Sequence, residues 1–395
     1  MSTHEPPLER PLRVLLLSPL EGRDPLSGDT SYTRALLDAP PTGVRYTDYA
    51  TALADGTLRL RGRRPGRGER GVGNALILAL RAVELAARRA GVMFREPTWF
   101  AEIDPRAFDV VHLHLFALRQ VNSKVPVVSS AGYPLPELYR FRERWRPAQL
   151  RLAESLELAW SRALRVHTPW LHGVAPCLMT TYTSESAAYL VRRGCHADGV
   201  RVISTGLPEM RLAPRARISG SLLFVGRDFT RKGGYVALRA YQLLRERGAE
   251  VTLTVITDRE AVTPDELAAD VEWLFDVDRK TVVHDVLPRA DVMLAPTLSD
   301  CGAPYAVLEA MRAGVALVLS DSPWLDERLD HPGARRVEAT PAAVADAVDS
   351  LLMGTHVLEA QQAALALFQE HFTMHVLGQQ LLSGYIAVAD RGAPA

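Results

Sequence analysis

The chain has 395 residues, 47% of them hydrophobic and 23% charged, proportions that exclude a disordered, collagen-like or coiled-coil protein. That length exceeds one ordinary domain and suits two of roughly 200 residues each. Lys plus Arg equals Asp plus Glu at 46 each, yet residues 1–215 hold 30 basic against 21 acidic side chains and residues 216–395 hold 16 against 25. A basic first half beside an acidic second half points the first half toward something anionic, with no nucleic acid expected. Ten arginines and two acids, Glu69 and Glu84, lie between Arg59 and Arg95. Arginine outnumbers lysine 43 to 3, so a solvated arginine face is an equally open reading of that stretch.

The first twenty residues carry acids and prolines before a short apolar run, and lack the basic start and cleavage site of a signal peptide. No apolar run reaches the roughly 18–20 residues of a membrane helix. Cys177, Cys195 and Cys301 are far apart and out of metal-ligand spacing. A cytoplasmic chain with free thiols, soluble or peripheral at the inner face of the membrane, is the expectation.

In chain order, Val14–Leu17 reads as a strand and Asn74–Ala90 as an amphipathic helix. Strands follow at Val110–Leu115 and Val125–Val128, a helix at Arg151–Leu164, and strands at Val200–Ile203 and Leu222–Val225. Then come a helix at Tyr235–Arg247, strands at Val251–Ile256, Val292–Ala295 and Val315–Leu319, and helices at Ala342–Leu352 and Leu358–Phe368. Apolar runs this short, alternating with helices, predict parallel sheets and a doubly wound α/β architecture. The alternation breaks at 207–219, where LPEMRLAPRARIS reads as a linker. The predicted division is 1–208, 219–360 and a C-terminal helical segment 361–395.

Ligands of open α/β sheets bind beyond the carboxyl ends of strands. Three segments there carry polar motifs. In SLLFVGRDFTRKGG, residues 221–234, a strand ends at Gly226, and Arg227 and Lys232 precede a helix opened by Gly233-Gly234. Two cations beside a helix N-terminus make an anion site that a diphosphate can span, with Arg231 as the bystander. In residues 290–321, Ser299-Asp300-Cys301-Gly302-Ala303 forms a polar loop before Pro304 opens a helix bearing Glu309. Gly302 lets backbone approach a ligand closely. Glu309 sits on an apolar face, so either sugar hydroxyls or an i,i+3 pair with Arg312 must satisfy it. In residues 18–37, Gly22 and Gly28 shape a first loop, and Asp29 or Thr30 caps the next helix; an ordinary capped loop is the competing reading.

These motifs resemble GT-B glycosyltransferases of the group often called family 4, over roughly residues 12–390. FVGRDFTRKGG and APTLSDCGAPYAVLEAMRAG carry the resemblance, with weaker agreement at Phe108–His114, at Val202–Gly206 and at Gly28-Asp29 with Tyr32. The resemblance implies two Rossmann-like domains facing across a cleft, and retaining transfer from a nucleotide-diphosphate sugar without a metal or other cofactor. It places Gly28, Asp29, Gly226, Arg227, Lys232, Cys301, Gly302, Ala303 and Glu309 around the donor, with Glu309 on the ribose. Arg227, Lys232, Asp300 and His114 become the catalytic candidates. The acceptor is a sugar or a lipid-linked or envelope glycan, with anionic membrane as a peripheral contact.

Four departures stand out. The family's E-x7-E pattern reads D-x8-E here, Asp300 to Glu309. The loop after Val125–Val128, where relatives carry a histidine, has Gly132. Asp29 replaces a first-loop glycine, and Thr257-Asp258-Arg259 follows Val251–Ile256 where relatives often have glycine. His114 either substitutes for the absent histidine or is a buried, hydrogen-bonded strand residue. A GT-B subunit that binds a nucleotide sugar or a partner enzyme without catalysis is the alternative.

Overall fold

The computed structural model describes residues 10–18, 28–61, 72–91, 93, 98–114, 117–121, 124–130, 146–167, 177–210, 217–263 and 268–392. They divide into two units, one of residues 1–203 with 378–395, the other of residues 204–377. The fold is α/β of the GT-B class, each unit having its own doubly wound parallel sheet. Among the described residues, no helix is long and apolar enough to cross a membrane.

In the first unit the chain runs β1 (Leu12–Leu17), α1 (Gly28–Asp38), β2 (Val44–Asp48), α2 (Tyr49–Ala54), β3 (Leu58–Arg61), α3 (Val72–Arg89), β4 (Trp99–Ile103), β5 (Val110–His114), β6 (Leu118–Gln120), β7 (Val127–Ser130), α4 (Pro147–Leu164), β8 (Cys177–Thr181), α5 (Ser184–Arg192) and β9 (Val200–Val202). The main sheet has the order β2-β1-β5-β7-β8-β9, with every pairing parallel. Central strands such as β1 and β5 are buried on both faces: Val14–Leu17 is an unbroken apolar run, and His112 and His114 are buried along with the apolar residues of β5. A second, three-stranded sheet, β3-β4-β6, was not legible, because LRLR alternates polar and apolar residues and WFAEI and LRQ are short runs broken by polar ones.

The second unit contains β10 (Ser221–Val225), α6 (Gly234–Glu246), β11 (Thr252–Thr257), β12 (Glu272–Phe275), β13 (Val292–Ala295), α7 (Tyr305–Arg312), β14 (Ala316–Ser320), β15 (Ala334–Val337), α8 (Pro341–Leu352) and α9 (His356–His371). Its parallel sheet has the order β12-β11-β10-β13-β14-β15. Successive strand residues alternate between two cores. Leu223, Met293, Leu317 and Leu319 pack with α7 and α9, whereas Leu222, Phe224, Leu253, Val255 and Val318 pack with α6 and α8. The strand order reverses between β10 and β13, so the loops after these two strands flank the topological switch point.

The unit boundary falls at 203/204, not at 208. Residues 204–208 bond inside the second unit: Ser204 Oγ donates to Asp326 at 2.6 Å, Thr205 Oγ1 to the Ala303 carbonyl at 3.0 Å, and Arg312 to the Pro208 carbonyl at 2.9 Å. Of the predicted linker, residues 211–216 lie outside the described residues. The C-terminal segment also divides differently. α9 packs Ala364, Leu367 and Phe368 into the second unit, and only from Gly378, within α10 (Met374–Gly392), does the chain join the first.

Candidate functional site

The loops that leave β10 and β13 are stitched together. Leu298 N–H donates to the Arg231 carbonyl at 2.9 Å, and Thr297 Oγ1 to the same carbonyl at 3.3 Å. Two glycines permit this approach. Gly233 has φ of +81°, and a Cβ there would stand 2.0 Å from the Pro296 carbonyl oxygen. A Cβ on Gly226 would stand 2.7 Å from Cβ of Lys232, so only glycine lets the cation fold back over the strand end. α6 and α7 begin at these loops, with no side-chain cap from Gly233 or Pro304. The first N–H of α6, on Gly234, donates to the Phe229 carbonyl at 2.8 Å; neither helix has a side-chain cap, and such a helix N-terminus favours an anion. α4 and α9 also lack side-chain caps; what distinguishes α6 and α7 is where they start.

A hollow opens here, lined by Lys232, Asp300, Thr297, Pro304 and Val307 among others. Lys232 Nζ pairs with Asp300 at its wall, so this predicted pair is brought together. Arg231 is no bystander. Its side chain is largely buried, donates to Asp228 at 2.8 Å and to the Ser299 carbonyl at 2.8 Å, and stands 3.9 Å from Asp300. Arg231 thus holds the Asp300 loop in shape. Its roles depend on residues up to 68 positions away, which local sequence does not display.

Arg227 points elsewhere. Its Nε donates to both Asp258 oxygens at 2.8 and 3.0 Å, and its side chain is 44% exposed. Asp258 occupies the start of the loop after β11, the position noted as departing from the glycine of relatives. Glu309 is buried, and among the described residues Arg279, in the helical turn Arg279–Thr281, and not Arg312 or a hydroxyl, is the partner bonded to it. Burial pushes its carboxyl above the ordinary glutamate range, against the pull of Arg279 and Arg312. Burial also lowers the Arg312 guanidinium, while Glu309 holds it up.

Gly302 has φ of +63°, but its amide is committed, donating to the Trp324 carbonyl at 2.8 Å while its carbonyl accepts from Asp326 N–H at 3.0 Å. Ala303 is buried and its carbonyl is held by Thr205. Only the Cys301 amide of this trio turns to Asp300, at 3.2 Å.

The remaining predicted residues belong to the first unit. His114 is buried, shares a hydrogen bond with Ser130 Oγ at 2.9 Å and stacks on Tyr32, the centroids 4.5 Å apart. The buried-strand reading therefore describes its surroundings. His112 joins the same network, through Ser130 Oγ at 2.9 Å and Tyr385 hydroxyl at 2.6 Å, and Tyr385 meets Tyr46 at 2.9 Å. Burial, with His114 adjacent, pushes the His112 imidazole down to about 3. Gly28 and Asp29 open α1, but their side chains, the loop 19–27 and Gly132 lie outside the described residues.

Residues 219–354 match the family model described as Glycosyl transferases group 1. That match covers 136 of the 395 residues. It contains every second-unit candidate: Gly226, Arg227, Lys232, Asp300, Cys301, Gly302, Ala303 and Glu309. Among curated proteins, the chain is 28% identical over 210 residues to amylovoran biosynthesis glycosyltransferase AmsK of Erwinia amylovora, covering 49% of this chain and 52% of that one. It is 29% identical over 208 residues to a phosphatidyl-myo-inositol mannosyltransferase of Mycobacterium tuberculosis, covering 48% and 55%. The chain thus spans about half the length of the curated relatives it matches. Among solved structures, Anabaena Alr3699/HepE in complex with UDP and glucose superposes with a TM-score of 0.61 at 13% identity, over 95% of this chain and all of that one. A glycosyltransferase of Rickettsia africae gives 0.57 at 11% identity, over 96% and 98%. At such identities these two establish the fold alone.

Proposed function

We propose that the protein is a glycosyltransferase that moves a sugar from a nucleoside-diphosphate donor to a glycan or lipid-linked acceptor. The observation that carries this reading is the hollow at the switch point of the second sheet, walled by Lys232 and Asp300 and faced by two helix N-termini. Donor diphosphate would take Lys232 in exchange for Asp300 and lie against the amides of α6 and α7. A lysine and two helix dipoles neutralise departing phosphate charge without a metal, which is why we assign a metal-independent reaction. Asp300, released, faces the donor sugar, and Glu309, held by Arg279, offers its other oxygen to the ribose. The bond between the anomeric carbon and the phosphate oxygen breaks, and the acceptor oxygen attacks from the same face and passes its proton to the leaving phosphate. The anomeric configuration is thereby retained. Gly226 and Gly233 keep the loops close enough for this site, with Cys301, Gly302 and Ala303 as its floor. The names of the curated relatives, one in amylovoran synthesis and one acting on phosphatidyl-myo-inositol, support the acceptor class.

A thermal-shift panel of nucleoside diphosphates and their sugars tests the donor. One of them at 100 times its Kd should add about 2.7 kcal/mol of stability. Stabilisation by none overturns the reading. One observation favours a second reading, a donor-binding subunit without catalysis: Arg227 and Glu309 are already neutralised by Asp258 and Arg279. Donor binding with no hydrolysis and no transfer to glycan or lipid acceptors selects it.

A further inference from the structure

The second-unit candidates all fall within residues 219–354, yet the loop Asp300–Ala303 is anchored in part by side chains outside that stretch. Ser204 and Thr205 open the second unit, and both are buried. Thr205 Oγ1 donates to the Ala303 carbonyl at 3.0 Å, and Ser204 Oγ donates to Asp326 Oδ2 at 2.6 Å. Asp326 is itself fully buried, and Arg328 donates to both of its oxygens, from Nε and Nη2, at 2.8 Å each. The carboxylate is thus a fixed acceptor for Ser204. The Asp326 backbone completes the link to the loop. Its N–H donates to the Gly302 carbonyl at 3.0 Å, and the Gly302 N–H donates to the Trp324 carbonyl at 2.8 Å, which makes a parallel bridge between Gly302 and Leu325.

The segment that carries the two hydroxyls is held in its turn. Leu207 N–H donates to the Phe372 carbonyl, and the Leu207 carbonyl accepts from Met374 N–H, both at 2.9 Å. Gly206 permits this pairing, since a Cβ there would stand 2.9 Å from the Thr373 carbonyl oxygen. Arg312 of α7 donates to the Pro208 carbonyl at 2.9 Å. Ser204 and Thr205 are therefore presented to the loop by a braced strand.

On its other side Asp300 is tied to Lys232, and Arg231 holds the Ser299 carbonyl before it at 2.8 Å. In the proposed reaction the diphosphate takes Lys232, so Asp300 loses that tie just when it must face the sugar. Its placement then falls to the Arg231–Ser299 bond ahead of it and to the Thr205 and Asp326 bonds behind it. Gly302, which has no Cβ, adds no stiffness between them. A shift of about 1 Å in such a group is enough to spoil an aligned site.

We propose that Ser204 and Thr205 are positioning residues of the donor site: through Asp326 and Ala303, their hydroxyls fix the Asp300–Ala303 loop for the donor sugar once the diphosphate has engaged Lys232. The proposal rests on the donor reading given above and assigns the sugar-dependent part of recognition to a segment outside residues 219–354.

Calorimetric titration of the full chain with UDP and UDP-glucose, GDP and GDP-mannose, and ADP and ADP-glucose tests it, on whichever pair binds. In Ser204→Ala/Thr205→Val the nucleoside diphosphate should keep its Kd within about twofold, while the Kd of the sugar nucleotide should rise at least about fivefold, the scale of one lost hydrogen bond. Thr205→Ser keeps the hydroxyl and should leave the ratio of the two constants at the parent's value. Ser204→Ala and Thr205→Val alone should each raise the ratio in part, and they carry the test if the double variant does not fold. A ratio unchanged in these variants, or equal weakening of both ligands, overturns the proposal and leaves the donor reading standing; equal weakening would make the hydroxyls structural only. Binding of none of these nucleotides by the parent overturns the donor reading, and the proposal falls with it.

Discussion

The two sheets have nearly the same topology, yet they treat polar residues at strand ends in opposite ways. In the first unit, His112, His114 and Ser130 lie inside β5 and β7, and they use their hydrogen-bonding groups on one another, on Tyr385 and on Tyr32. In the second, the polar residues come after the strands, on glycine-hinged loops, and Lys232 and Asp300 line a hollow. A polar side chain within a strand, up to its last residue, becomes part of the core; one a few residues beyond it can meet a ligand. Position relative to the last ladder bond, more than residue type, separates scaffold from site.

The largest effect expected from this contrast is at Lys232. Lys232→Ala should lower kcat/KM by about 10²–10³, the scale of one lost charge contact in a transition state. Steady-state kinetics on the donor identified by thermal shift measures it. Unchanged turnover would end the distinction between the two sheets, because the second-unit loops would then be as inert as the His112 network.

Much of the fold was legible because central strands are apolar on both faces. β10, β13 and β14 stand where their runs lie, within a residue. The edge strands β2, β12 and β15 escaped, since VRYTD, EWLF and ARRV mix charged residues into half-exposed positions. The site divides similarly. Lys232, Asp300 and the two hinge glycines are legible because each sits in one short segment. Asp258 and Arg279, the partners of Arg227 and Glu309, are about 30 positions away from them, and only the fold chooses which acid meets which base.

A smaller effect sharpens the first unit's side of the comparison. His112 is held neutral at about 3, while an unfolded histidine titrates near 6.5. Below pH 6.5 the unfolded chain therefore binds a proton that the folded chain refuses. The stability linked to His112 is complete above that pH and declines as the pH falls toward 3, by up to about 1.4 kcal/mol per pH unit. Urea unfolding at pH 7.5, 6.5 and 5.5 should show this slope, reduced in His112→Gln. An identical slope in both proteins would mean that the buried network is not what excludes the proton.

The smallest effect concerns the second cation. Arg227 and Asp258 are partly exposed, and such pairs contribute roughly 0–1 kcal/mol, so Asp258→Ala should barely change unfolding stability. Its effect should appear in binding. If Asp258 merely restrains Arg227, its removal frees a guanidinium for the diphosphate and tightens nucleoside-diphosphate binding, by up to about fivefold if 1 kcal/mol is released. Arg227→Ala should weaken the same binding, and in the double variant the gain from Asp258→Ala should vanish. Calorimetric titration of the three variants decides this. Weaker binding in Asp258→Ala would show that the carboxylate itself holds the donor, and the site would then extend from the loops of β10 and β13 to that of β11.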